Sequence, residues 1–170
     1  MKQLILGGVR SGKSRLAEQR AQASALPVTY IATATAQDEE MRARIAHHQA
    51  QRPQHWQLVE EPLALAATLQ RHAAAERCLL VDCLTLWLTN LLCLEDEARL
   101  RQEIDALLAV LPDLPGQLIL VSNETGMGVV PLGELTRRYC DEAGRLHQAV
   151  AARCEQVTMT VAGLPLILKG

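Results

Sequence analysis

Eight residues near the amino terminus restrict this chain more than any other stretch: Gly7-Gly8-Val9-Arg10-Ser11-Gly12-Lys13-Ser14. They fit G-x-x-x-x-G-K-[ST], a glycine loop whose backbone N–H groups cradle phosphates. A short apolar run, Leu4-Ile5-Leu6, precedes the loop. Residues 14–24, rich in Ala, Leu, Glu, Gln and Arg, predict a helix after it. Strand, loop and helix in that order set the positive end of a helix against bound phosphates. Lys13 then reaches the β- and γ-phosphate oxygens, and the Ser14 hydroxyl is placed to ligate Mg²⁺. The reading is a nucleoside triphosphate site.

The rest of the chain supplies a sheet for that loop to sit on. Val28–Ala32 and residues 56–61 predict strands, separated by a charged helix over 37–51 in which acids lead and bases follow. An Ala/Leu-rich helix over 63–75 precedes Cys78-Leu79-Leu80-Val81-Asp82, an apolar run of the kind found in strands covered on both faces. Helices over 84–94 and 95–111 follow, the second with Leu100, Ile104, Leu107, Leu108 and Leu111 at helical period, before Pro112 and Pro115. Residues 117–122 predict a buried strand, 132–154 a long helix, and 156–161 and 164–168 one or two closing strands. Strands alternating with helices make an α/β fold with a mainly parallel sheet and helices on both faces. At 170 residues the length predicts a single domain, residues 1–170.

Composition narrows the function. A net charge of −2 offers no electrostatic footprint for nucleic acid or anionic membranes. With no Phe, two Trp and two Tyr, there is little material for stacking bases, and aliphatic side chains must fill the core. The five cysteines form no C-x-x-C pair and are odd in number, so the expectation is reduced, mostly buried thiols. No apolar run approaches the ~18 residues of a membrane helix. With the glycine loop starting at Gly7, no signal peptide is expected before it. The protein is expected to be cytoplasmic.

Other residues are candidates for chemistry. Asp82 ends a buried strand and is read as the second Mg²⁺ ligand with Ser14, the competing reading being an ordinary strand-end acid. Thr33, just beyond the strand ending at Ala32, points toward the loop or caps a helix. Adjacent helix residues stand ~100° apart, so His47 and His48 face different ways. Arg44, His48 and Arg52 share a face suited to phosphate. Glu60 closes a strand where it reaches ribose or base, or simply meets solvent. Residues 123–128, Asn-Glu-Thr-Gly-Met-Gly, form a loop able to close over substrate or merely to turn.

Several of these motifs together resemble one family. Gly7-Gly8-x-Arg10-Ser11-Gly12-Lys13-Ser14, Tyr30-Ile31-Ala32-Thr33, Asp38-x-Glu40-Met41-x-x-Arg44-Ile45-x-His47-His48, Arg52-Pro53-x-x-Trp56, Asp82-Cys83-Leu84-Thr85, Thr89-Asn90-Leu91 and Asn123-Glu124-x-Gly126-x-Gly128-x-x-Pro131 look like the bifunctional adenosylcobinamide kinase / adenosylcobinamide-phosphate guanylyltransferase. The resemblance spans almost the whole chain. Two positions depart from the family: Asp82 stands where Glu is common, and Gln49-Ala50-Gln51 lacks the charged and glycine residues usual there.

The resemblance implies a RecA-like P-loop NTPase fold, a homotrimer, and two reactions. A nucleoside triphosphate, ATP or GTP, phosphorylates a corrinoid, adenosylcobinamide. GTP then donates GMP to that phosphate through a covalent adduct on His47, a route that splits one displacement into two. Nucleotide contacts carried over are Gly7 to Ser14, Ala32, Thr33, Ala34, His48, Gln49, Ala50, Gln51, Arg52, Glu60 and Asp82, with Lys13 and His47 catalytic. Two other readings remain at this level: a P-loop small-molecule kinase without guanylyl transfer, and a GTP-dependent switch. The second lacks an N-K-x-D guanine-reading motif.

Overall fold

The computed structural model describes residues 1–35, 53 and 55–170. The helix expected over 37–51 lies outside the described residues, as do Arg44, His47, His48, Gln49, Ala50, Gln51 and Arg52.

Strands β1 (Lys2–Gly7), β2 (Val28–Ala32), β3 (Gln57–Glu60), β4 (Cys78–Asp82), β5 (Gln117–Asn123), β6 (Gln156–Val161) and β7 (Leu164–Lys169) form one sheet. Its order is β3-β2-β4-β5-β1-β6-β7. Every neighbouring pair is parallel except β6 and β7, which form an antiparallel hairpin at one edge. Helices α1 (Lys13–Ala23), α2 (Leu65–His72), α3 (Leu84–Cys93), α4 (Glu97–Val110) and α5 (Glu134–Arg153) connect the parallel strands.

The period-two alternation of the strands divides the core cleanly. Leu4, Leu6, Leu79, Val81, Leu118 and Leu120 face α2 to α5 in the larger cluster, with Trp87, Leu91, Leu107 and Leu146. Their neighbours Ile5, Leu80, Ile119 and Val121 face the other way, against Ala17 and Ala21 of α1 and the buried Trp56. Both faces are thus covered, as continuous apolar runs require. Trp87 is fully buried with its indole N–H donating to the Leu63 carbonyl oxygen at 2.8 Å.

Element ends follow local chemistry. Asp96 accepts from the Arg99 N–H and caps α4, which therefore starts at Glu97 and not at Glu95. Pro112 turns the end of that helix into a single 3₁₀ turn, Leu111–Asp113. Extended Gly133 holds off α5 until Glu134, two residues later than expected. The five cysteines are free; Cys78, Cys83 and Cys154 are buried, whereas Cys93 is exposed.

Candidate active site

The loop after β1 is built by two glycines with different tasks. At Gly12, φ is +94°, a left-handed value that lets the chain turn into α1 at Lys13. At Gly7 the reason is space, since a Cβ there would stand 2.8 Å from the Thr160 carbonyl oxygen of β6. Arg10 also takes a left-handed φ, 55°, without a glycine's freedom; non-glycine residues held this way cluster where a loop is shaped for a ligand. The β6–β7 turn braces the loop, Gly163 N–H donating to the Ser11 carbonyl oxygen at 2.9 Å. From behind, Arg20 of α1 donates to Gln3 Oε1 and Thr158 Oγ1, both at 2.9 Å. Lys13 Nζ folds back to the Gly8 carbonyl oxygen at 3.2 Å.

Sheet order determines what shares this end of the molecule. The carboxyl ends of β1, β5 and β4 lie side by side, with β5 between the glycine loop and Asp82. Gly7 pairs in register with Asn123, and Glu124 N–H donates to the Gly7 carbonyl oxygen at 3.1 Å. The chain leaves the sheet in opposite directions from β1 and β5, the switch point at which open α/β sheets bind ligands. Asp82 is half-buried, and its Oδ2 accepts from the Tyr30 hydroxyl at 3.1 Å. A hydroxyl and a carboxylate are hard oxygen donors suited to Mg²⁺, which takes few protein ligands and completes its shell with phosphate oxygens and water. That suits a region where, among the described residues, no three His, Cys, Asp or Glu cluster around a metal position.

The other sequence candidates distribute unevenly. Ala32, at the end of β2, pairs in register with both Asp82 and Glu60, so this part of the expected nucleotide set does meet at one end of the sheet. Glu60 is exposed on the edge strand β3. Thr33 differs from expectation: fully buried, its hydroxyl neither points at the loop nor caps a helix. It donates to the Cys83 carbonyl oxygen at 2.7 Å and accepts from the Cys83 N–H at 2.9 Å. Its own carbonyl oxygen accepts from Asn90 Nδ2 at 2.8 Å. Two hydrogen bonds to one backbone unit outcompete any looser position for a buried hydroxyl.

Beyond β5, residues 124–131 line an open cavity of about 420 Å³ together with Arg137, Cys140 and Asp141 of α5. Next to Glu124 runs a polar chain that sequence reasoning missed. Asn123 N–H donates to Thr85 Oγ1 at 2.7 Å, Thr85 Oγ1 lies 3.3 Å from Ser122 Oγ, and Ser122 Oγ lies 2.8 Å from His147 Nε2. Burial pulls the His147 imidazole below its ordinary value, against the opposing pull of Glu124. The available signal was a histidine on the buried stripe of α5, beside Leu146 and Val150. Two further buried oxygens here, Ser11 Oγ and Asn123 Oδ1, have no hydrogen-bond partner among the described residues, which marks them as groups for a ligand or water to satisfy.

Comparison with known proteins agrees with this architecture. The model of a family described as cobinamide kinase / cobinamide phosphate guanyltransferase matches residues 3–168. The chain is 69% identical over 170 residues to the bifunctional adenosylcobalamin biosynthesis protein CobP of Pseudomonas aeruginosa, covering 100% of this chain and 98% of that protein. To the bifunctional adenosylcobalamin biosynthesis protein CobU of Escherichia coli it is 37% identical over 179 residues, covering 98% of each. Among solved structures, the RadB recombinase aligns with a TM-score of 0.54 at 18% identity, over 93% of this chain and 73% of that one. A protein from Pyrococcus horikoshii aligns with a TM-score of 0.60 at 10% identity, over 99% and 86%. These two likenesses concern the fold, which is the P-loop NTPase arrangement.

Proposed function

The chain belongs to the cobinamide kinase / cobinamide phosphate guanyltransferase family, and from that premise we propose how its residues divide the two reactions. As a member it is a bifunctional enzyme of adenosylcobalamin biosynthesis. The observation that carries the assignment of residues is the alignment of three strand ends, with the glycine loop on β1, Asp82 on β4 and β5 between them.

In the kinase step, the loop N–H groups, Lys13 and Arg10 hold the triphosphate of ATP or GTP while a hydroxyl of adenosylcobinamide displaces the nucleoside diphosphate. Ser14 and Asp82 are the residues that would hold Mg²⁺. When bound, that ion offsets charge on the phosphates. Ala32, Ala34, Glu60 and the segment from His48 to Arg52 contact the nucleotide, and Thr33 contributes through the backbone it braces. In the guanylyl step His47 attacks the α-phosphorus of GTP and releases pyrophosphate. The phosphate of adenosylcobinamide phosphate then takes the GMP from His47.

The protein acts in the cytoplasm as one domain, residues 1–170, and assembles as a homotrimer. Supporting assembly, Leu164, Leu166, Ile167 and Leu168 of β7 are all exposed apolar side chains on an open sheet edge. No described helix is long and apolar enough to cross a membrane. The deciding experiment is intact mass after incubation with GTP and Mg²⁺, where the chain gains one GMP. An unmodified chain that still converts adenosylcobinamide phosphate would rule out the covalent route.

A further inference from the structure

The polar chain through Asn123, Thr85, Ser122 and His147 ends on Glu124, which lines the cavity. The Asn123 N–H donates to Thr85 Oγ1, which lies 3.3 Å from Ser122 Oγ, a pair in which either hydroxyl can donate. Ser122 Oγ lies 2.8 Å from His147 Nε2 and donates to it in the tautomer that carries the ring proton on Nδ1. That nitrogen lies 3.6 Å from Glu124 Oε2. The other tautomer would aim an imidazole lone pair at a carboxylate. The other carboxylate oxygen, Oε1, accepts from the Gly126 N–H at 2.6 Å. Glu124 is thereby oriented from two sides, yet its side chain keeps 22% of its surface exposed, at the cavity of about 420 Å³. Its backbone is tied to Gly7, the first residue of the phosphate loop.

Resting on the kinase reading above, we propose that Glu124 is the general base of the phosphoryl transfer, and that Thr85, Ser122 and His147 are positioning residues that hold it. The cavity beside Glu124 takes the hydroxyl-bearing end of the corrinoid. As the hydroxyl oxygen bonds to the γ-phosphorus, the bond from that phosphorus to the β–γ bridging oxygen breaks. Its electron pair leaves with the nucleoside diphosphate, beside Lys13. The hydroxyl proton passes to the Glu124 carboxylate and from there to water. The guanylyl step needs no such base, because its acceptor is a phosphate already ionised.

The test separates the two reactions by acceptor. Glu124→Gln keeps the shape and removes the basic oxygen. Its kcat on adenosylcobinamide should fall about 100-fold or more, while GMP transfer from GTP to adenosylcobinamide phosphate continues near the wild-type rate. A smaller fall in the kinase rate, or equal loss of both reactions, overturns the proposal. So does selective loss in Asp141→Asn, the other carboxylate at the cavity among the described residues. The positioning role is read from His147→Phe and His147→Asn. The first should lower the kinase kcat about tenfold with KM unchanged, and the second, with an amide N–H near the Nδ1 position, should recover most of it. A KM effect, or equal behaviour of the two variants, counts against it. If the wild-type protein phosphorylates no adenosylcobinamide at all, the kinase reading itself fails and the base assignment falls with it.

Discussion

The Thr33 hydroxyl bonds Cys83 twice, donating to its carbonyl oxygen at 2.7 Å and accepting from its N–H at 2.9 Å. One side chain thus ties the chain leaving β2 to the chain leaving β4, next to Asp82. The position of Asp82 is therefore secured by Thr33, fifty places before Cys83, and not by its own strand alone.

Thr33→Val keeps the shape and leaves the Cys83 N–H buried without its partner. We expect a loss of about 1–3 kcal/mol, seen as a drop of roughly 5 °C in Tm for a chain of this size. The kinase should need more Mg²⁺ for the same rate, as Asp82 loosens. An unaltered melting curve would show that the pair contributes nothing.

Asp82→Asn tests the metal directly. The substitution keeps the hydrogen bond from Tyr30 within reach and removes the charge that attracts a divalent cation. Kinase rate at low Mg²⁺ should fall on the order of 100-fold, as removal of a charge-stabilising group commonly does. Raising Mg²⁺ should restore part of it. An unchanged Mg²⁺ titration would return Asp82 to an ordinary strand end.

Loss of His47 should split the two activities. Phosphoryl transfer to a hydroxyl proceeds by direct displacement and needs no protein nucleophile. His47→Ala is expected to abolish GMP labelling and guanylyl transfer while much of the kinase rate persists. His48→Ala should still become labelled, since neighbours in the helix expected over 37–51 stand about 100° apart. A labelled His47→Ala protein would move the nucleophile elsewhere, His48 first.

Acid stability should report Glu142 of α5. Its carboxylate accepts from Arg101 at 2.8 and 2.6 Å and from Arg145 at 3.0 Å, and chiefly the Arg101 bonds hold its pKa below the usual carboxylate range. A group depressed by folding stabilises above its unfolded value, about 4.3, and that contribution disappears as pH drops through the lower folded value. Glu142→Gln should melt several degrees below wild type at pH 7, the two curves drawing together below about pH 4. Parallel curves across that range would remove Glu142 from the acid limb.

The glycine loop, the strands and most of the described helices were legible in the sequence, because each rests on local chemistry. Gly7 and Gly12 stand where a side chain would clash or a left-handed turn is needed. The runs through Leu4–Leu6, Leu79–Val81 and Leu118–Val121 alternate between two covered faces at a period any strand imposes. The motifs of the family were likewise legible. Which of these pieces meet is set by long-range packing. That β5 stands between β1 and β4 follows from packing of the whole sheet, and no pattern within one strand encodes its neighbour. The same packing turned Thr33 inward to Cys83. It also brought His147 to Ser122 and Glu124 across more than twenty residues of chain. A buried polar group takes the partner that the fold delivers, because leaving it unpaired costs more than any local preference supplies.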